Sequence, residues 1–362
     1  MSTQVSLILV TGVRPEPMAA ATVSMQWDIP RVVALTHHID VEAARLTRTV
    51  SDASGLLENV IVDLEHACVS CAIREDIIPT VQRLAESGRW GTIIVNLPVG
   101  AEAVQICRVI AWDKHLEQQV KVSCVVAAIS AQHSLEDLRG EELLIERGQH
   151  SASDDYRGVA EVQCALVEHA DLIVADGSLA LLQPATQLIT SLARPKIPLV
   201  EGAESMPIRL LTQGLHDHEA SERWIAEVRR ERSLEVDNAD VWVLDFSSPF
   251  PFHPGRLLER IEELGSHQAR ARGCFWVPTR PDLVCRWEGA GGQLSIGTCA
   301  HWGSGEKLSR IVVTGVGDGR DELRRAFESV LITEYEAVTR GMRWNDPYDG
   351  LEPWLGEISE AH

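Results

Sequence analysis

Val5-Ser6-Leu7-Ile8-Leu9-Val10-Thr11-Gly12 is an almost unbroken apolar run closed by a glycine, and its reading decides the fold of the first two thirds of the chain. Runs of the same kind recur at 31–38 (RVVALTHH), 59–65 (NVIVDLE), 91–98 (GTIIVNLP), 122–130 (VSCVVAAIS), 171–177 (DLIVADG) and 195–202 (PKIPLVEG), with amphipathic helical stretches between them. A strand that faces solvent on one side alternates apolar and polar residues, whereas one covered on both faces stays apolar throughout, as most of these do. The pattern predicts an α/β layered domain over residues 1–235, built on a parallel sheet.

A chain of 362 residues exceeds one ordinary domain. After the polar stretch ERSLEVDNAD (231–240) the pattern changes. A strand-like VWVLDFS (241–247) leads to a helical stripe over Pro254–Gly265, with an early proline and a closing glycine. Three strand-like segments follow, GCFWVPT, LVCRWEGAGGQLSIG and LSRIVVTGVG, then a last helix with Leu323, Phe327, Val330 and Leu331 on one face. This order predicts a small α+β domain over 241–354, with helices on one face of an antiparallel sheet.

The 53 acidic residues outnumber the 33 Lys and Arg, for a net charge of −20. That field repels phosphate backbones, which argues against direct sequence-specific contact with nucleic acid; it suits basic protein partners, including those on a ribosome surface, and taken alone it is explained by an acidic surface that keeps the protein soluble. No apolar run reaches the ~18 residues of a membrane span, and the first residues run into a strand without a basic segment, so a cytoplasmic protein with no membrane contact is expected. Eight cysteines spread over this length make no disulfide framework, and Cys68 and Cys71 are the one close pair.

In the second domain, Ser248-Pro249-Phe250-Pro251-Phe252-His253-Pro254-Gly255-Arg256-Leu257 resembles the opening of the C-terminal domain of the CobW family, metallochaperone-type P-loop GTPases. Arg272-Gly273-Cys274-Phe275-Trp276-Val277 followed by Arg280-Pro281-Asp282, then Gly291-Gly292, Trp302 and Trp344-x-Asp346-Pro347-Tyr348, are similar to that domain's later landmarks. The resemblance covers residues 241–354 and implies a P-loop-NTPase-like parallel-sheet domain before a small α+β CobW C-terminal domain. Six of the ten tryptophans lie in this second domain, where core packing is the expected role of most, with one or two left to face a partner.

In that family the first strand ends in a Walker A loop, whose backbone wraps phosphate while a Lys neutralises it and a Ser or Thr holds Mg²⁺. Here the place reads Thr11-Gly12-Val13-Arg14-Pro15-Glu16-Pro17-Met18-Ala19-Ala20. Met18 and Ala19 stand at the Lys and Ser/Thr positions, two prolines remove N–H donors, and Glu16 brings a negative charge. After the central strand comes Asn96-Leu97-Pro98-Val99-Gly100 in place of an acidic, Gly-containing segment, and Ala175-Asp176-Gly177-Ser178 replaces the guanine-reading Asn-Lys-x-Asp. The expectation is a pseudo-GTPase, with no enzymatic activity and no GTP cofactor.

Val62-Asp63-Leu64-Glu65-His66-Ala67-Cys68-Val69-Ser70-Cys71-Ala72-Ile73-Arg74-Glu75-Asp76 resembles the family's GCxCC(S/T)xRxD segment, with Ser70 at the middle cysteine. The resemblance implies a site for zinc or cobalt. Two thiols at this spacing can hold Zn²⁺, and Glu65 or His66 would add a third ligand. A helix is predicted from Ile77 with Asp76 as its N-cap, its dipole favouring the Cys71 thiolate. His37-His38 with Asp40, and His216-Asp217-His218, are weaker metal candidates that surface solvation explains as well.

Three functional readings follow. The first is a non-catalytic adaptor like the actinobacterial branch of the family with degenerate nucleotide motifs, in which a recruitment factor brings a hibernation factor to the ribosome under zinc limitation. A zinc or cobalt metallochaperone with residual nucleotide binding is the alternative, and a thiol redox protein working through a Cys68–Cys71 disulfide is the third.

Overall fold

The computed structural model describes residues 4–180, 182–229, 240–265 and 267–358, so residues 231–239 of the polar stretch lie outside the described residues. The chain divides into two compact units, Met1–Asp137 with Glu142–Trp224, and Leu138–Glu141 with Ile225–His362.

The first unit runs β1 (Val5–Thr11), α1 (Pro15–Asp28), β2 (Val32–Asp40), β3 (Arg45–Asp52), β4 (Gly55–Asp63), α2 (Val69–Ala72), a π-helical turn at Ile73–Ile77, α3 (Ile78–Glu86), β5 (Thr92–Asn96), α4 (Val104–Trp112), α5 (Lys114–Gln119), β6 (Val120–Ser130), α6 (Ser134–Arg139), α7 (Val159–His169), β7 (Leu172–Asp176), α8 (Gln183–Leu192), β8 (Leu199–Glu201), α9 (Ile208–Gln213) and α10 (His218–Ile225). Its strands form one sheet in the order β4-β3-β2-β5-β1-β6-β7-β8. The six strands from β2 to β8 in that order are parallel, and β3 and β4 run antiparallel at one edge.

Continuous apolar strands work here because both faces are covered. Leu7 and Leu9 of β1 join Leu35, Ile77, Ile93 and Ile106 on one face. Ile8 and Val10 join Met18, Met25, Val126 and Val174 on the other. Each such side chain contributes about 1.5–3 kcal/mol on burial, so the sheet itself is the core.

Two expectations need correction. The run at 59–65 is not a covered parallel strand: β4 spans 55–63 antiparallel to β3 at the sheet edge, with Leu56 and Ile61 exposed. Its partner β3 was not anticipated, since RLTRTVSD is polar apart from Leu46 and Val50, which alone point into the core. The turn-forming Asp52-Ala53-Ser54-Gly55 between the two segments is the local signal for a hairpin.

The second unit has β9 (Val241–Ser248), α11 (Pro254–Gly265), β10 (Arg270–Phe275), β11 (Leu283–Ala290), β12 (Gln293–His301), β13 (Ser309–Val316), α12 (Arg320–Val330), α13 (Glu334–Arg340) and α14 (Glu352–Leu355). The antiparallel sheet is ordered β12-β11-β10-β13-β9. The segment read as one strand, LVCRWEGAGGQLSIG, is a hairpin that turns at Gly291 and Gly292, both at positive φ (57° and 75°). Leu331 lies just past α12, so Leu323, Ala326, Phe327 and Val330 form its buried face.

The motif residues here have visible structural work. Phe252 is fully buried and stacks on Phe275 at 5.1 Å, and Arg256 grips Glu336 (2.8 Å) and the Leu331 carbonyl (2.7 Å). Arg280 and Asp349 form a buried two-pronged pair at 3.0 and 3.2 Å, which ties the Arg-Pro-Asp turn to the last loop. Trp242, Trp276, Trp287, Trp302 and Trp344 are buried, leaving Trp354 partly exposed. No helix among the described residues is long and apolar enough to cross a membrane.

Candidate functional site

In parallel α/β sheets, ligands bind outside the carboxyl ends of the strands, which makes the β1–α1 connection the first place to look. It is three residues long, Gly12 to Arg14, because α1 already starts at Pro15, a residue suited to a first helical turn. Met18 is 1% exposed and folds back onto Gly12. A Cβ added at Gly12 would lie 2.8 Å from Met18 Cγ and 2.7 Å from the Ala128 carbonyl oxygen. Arg14, the cation of the loop, is bound to buried Asp137 at 2.7 and 2.8 Å, and Asp137 also accepts from Arg147 at 2.9 Å. The residues that would curl around phosphate in a Walker A loop are thus the first helical turn, and Met18 fills the space beside Gly12.

Next to this loop lies a cleft of about 160 Å³, lined by the ends of β2 and β5, by Met18, and by His150 and Ser151. His37 at the end of β2 is buried, which corrects the solvated reading, whereas His38 and Asp40 are exposed. His37 Nε2 lies 3.0 Å from Asp76 Oδ1, the other Asp76 oxygen accepts from Arg48, and Arg48 also donates to Thr80 Oγ1 at 3.0 Å. Burial lowers the His37 pKa from its ordinary value, against the pull of Asp76. Asp76 is therefore not a helix N-cap; it sits in the π-helical turn and joins that turn to β2 and β3. Single π turns inside α-helices are frequent at functional sites, since the extra residue re-aims a side chain.

The helical run begins eight residues earlier than predicted, at Val69, with Cys68 as N-cap. Cys68 Sγ accepts from the Cys71 backbone N–H at 3.4 Å. The helix start thus falls on Cys68, so the dipole favours charge there and not on Cys71. Loss of solvation and the neighbouring Cys68 push the Cys71 thiol up, although Arg74 approaches its sulfur at 3.9 Å. Glu65 is engaged by Arg74 at 3.2 Å, and Arg74 also holds Glu75 at 2.8 Å. Among the described residues, no three His, Cys, Asp or Glu side chains converge as a metal site. Of the four candidate ligands, Cys68 and Cys71 are brought together at one helix start; Glu65 faces Arg74, and His66 joins them only through its backbone. The donor chemistry fits zinc in part: two thiols supply half of a tetrahedral set.

His216 is not a solvated loop residue either. Its Nδ1 lies 2.9 Å from buried Asp171, which also accepts from Arg194 and from the Val125 N–H (2.8 Å). Its ring centroid is 6.1 Å from that of His169, a buried imidazole whose pKa falls to about 4, chiefly through burial. Asp176 ends β7 exposed.

Residues 32–193 match the CobW/HypB/UreG nucleotide-binding domain, and residues 241–331 match the cobalamin synthesis protein CobW C-terminal domain. The zinc chaperone Rv0106 of Mycobacterium tuberculosis is 27% identical over 286 residues, 75% of this chain and 68% of its own. The zinc-regulated GTPase metalloprotein activator 1 of Dictyostelium discoideum is 23% identical over 274 residues, 71% of this chain and 57% of its own. The zinc-bound YjiA GTPase from E. coli aligns with 91% of this chain and 99% of its own, at 14% identity and a TM-score of 0.37. With a nucleotide-domain match in the first unit and a C-terminal-domain match in the second, the chain belongs to the CobW family.

Proposed function

We propose that this chain handles zinc as a CobW-type metallochaperone does, without a GTP cycle. The observation that supports the second half of the reading is Met18 packed on Gly12 with α1 beginning at Pro15, so that Pro15–Pro17, which a phosphate-wrapping loop would need as open backbone, are already helical. For the first half, support comes from the names of the relatives and from the thiol pair at the start of the Val69 helix. Two thiols with open positions suit a metal held as cargo, because a client's donors can complete the set and take it over.

The test is a pair of titrations of the full chain. In calorimetry with GTP and Mg²⁺ no binding is expected, while zinc competition against a chromogenic chelator reports one ion per chain, lost in the Cys68→Ser, Cys71→Ser double variant. Micromolar GTP affinity would sink the nucleotide-free reading, and unchanged zinc binding by the double variant would sink the thiol site.

The finer role within this reading is recruitment of a hibernation factor to ribosomes when zinc is scarce. A net charge of −20 supports it to the extent that an acidic surface favours basic ribosomal proteins. A pull-down from zinc-starved and zinc-replete cells decides it: ribosomal proteins enriched in starvation alone are the expected result, and their absence from both samples overturns it.

A further inference from the structure

The sheet of the first unit has two edges, and the chain treats them differently. β8 is three residues long and follows Pro195-Lys196-Ile197-Pro198, so it offers little backbone to another strand. β4 runs for nine residues, pairs with β3 alone among the described residues, and contains neither proline nor lysine. Its Ile61 is 64% exposed and its Val60 37%, although both are apolar residues in a strand. An edge of this kind presents unpaired N–H and C=O groups to any strand that fits.

What fits is set by the side chains. The β3–β4 register slips at Leu57, a bulge that leaves Glu58–Asp63 as the regular part of the edge. Val60 and Val62 lie opposite Arg48 and Leu46, on the face that covers the core, whereas Asn59 and Ile61 lie opposite Thr49 and Thr47, on the open face.

A second copy of the strand, related by a two-fold axis normal to the sheet, keeps each face on its own side and so must place one residue opposite itself. With Ile61 on the axis, Ile61 meets the partner's Ile61, Val60 meets the partner's Val62, and the Asn59 amide meets the carboxylate of the partner's Asp63. Each apolar residue then finds an apolar one on its own face, and no two like charges are opposed. Centring on Val60 would set Glu58 against Val62 and Asn59 against Ile61, and centring on Asn59 would run the ladder through the bulge.

We propose that two copies of this chain pair through β4, antiparallel about a two-fold axis at Ile61, so that their sheets join into one. The pairing uses up both β4 edges, and the short β8 edges stop further growth, so the assembly closes at a dimer. It needs no metal and does not rest on the zinc reading. The net charge of −20 on each copy opposes association, so screening by salt favours it.

The experiment follows the full chain by analytical ultracentrifugation from low to high micromolar concentration, in EDTA so that no zinc bridges the copies. The expected result is a reversible species of twice 39.9 kDa that added salt tightens. Ile61→Lys sets two ammonium groups against each other on the axis and is expected to weaken the dimer by roughly tenfold or more. Ile61→Val keeps a β-branched residue there, and Trp112→Ser changes an exposed tryptophan on α4; both are expected to leave the affinity within about twofold. Asn59→Lys faces the partner's Asp63 in this register alone and is expected to tighten the dimer. In the parent protein, hydrogen exchange of the Glu58–Asp63 amides is expected to slow as concentration rises.

A dimer indifferent to Ile61→Lys, or one that Asn59→Lys weakens, overturns the proposal. So does a dimer whose β4 amides exchange as fast as those of the monomer, a result that stands even where a variant does not fold. A monomer at every concentration overturns it as well, and leaves the edge to an extended segment of some other protein.

Discussion

His37 and Asp76, 39 residues apart in the chain, are both buried and share a 3.0 Å hydrogen bond. Asp76 also carries the charge that balances Arg48, so one carboxylate joins β2, β3 and the π turn. Replacing it by Asn removes the charge and leaves a guanidinium that is mostly buried. Breaking a buried pair from one side costs about 3–5 kcal/mol, and the low end applies here because Glu58 stays within 3.6 Å of Arg48. Asp76→Asn is thus expected to lose about 3 kcal/mol in urea unfolding, and an unchanged midpoint would show that the network contributes nothing.

The contact between Met18 and Gly12 invites a double-mutant cycle. Gly12→Ala pushes a methyl to within 2.8 Å of Met18 Cγ and 2.7 Å of a backbone carbonyl. Overpacking of this kind costs about 1–3 kcal/mol. Met18→Ala alone leaves a cavity and costs about 2–3 kcal/mol. Because the first clash is partly with Met18, the double variant is expected to be less destabilised than the sum of the two. Strict additivity would mean that the Ala128 carbonyl alone sets the cost.

Acid should weaken the fold through buried histidines before it does so through carboxylates. His169 has a folded pKa of about 4 against 6.5, so the unfolded chain takes up a proton near pH 6.5 that the native chain refuses. Stability is therefore fully present above about pH 6.5 and declines until about pH 4. The limit is about 3 kcal/mol from this residue, with His37 adding a loss of the same sign. Asp155 and Glu336, held near 2 in opposition to burial by Arg157 and by Arg256 respectively, lose their contribution only below about pH 4. Chemical unfolding at pH 7, 5.5 and 4.5 is expected to show a decline that His169→Gln reduces; a flat profile over that range would contradict it.

In the second unit, Arg280 meets Asp349 through two nitrogens and donates to the Leu355 carbonyl at 3.2 Å. A lysine reaches one oxygen where the guanidinium reaches two. Arg280→Lys is expected to cost about 2 kcal/mol and Asp349→Asn about 3–5 kcal/mol. Tryptophan fluorescence is a suitable readout, given five buried tryptophans in this unit. An Arg280→Lys variant as stable as the parent would deny the pair its anchoring role.

The sequence by itself determined the strands that are apolar throughout, since a run such as Val5–Thr11 can be satisfied only between two covered faces, and each local stretch carries that requirement alone. It also showed the spacing of Cys68 and Cys71 and the residues of the β1–α1 loop. It did not disclose β3, whose polar residues are tolerated because one side of that edge is open. Tertiary structure alone decided that Asp76 faces His37 rather than capping a helix, that the helix starts at Cys68, and that His37, Asn96 and His150 share a cleft. The physical reason is range: burial and periodicity are written into neighbouring residues, whereas a hydrogen bond between positions 37 and 76 depends on strand order and on one π turn, neither of which leaves a local mark.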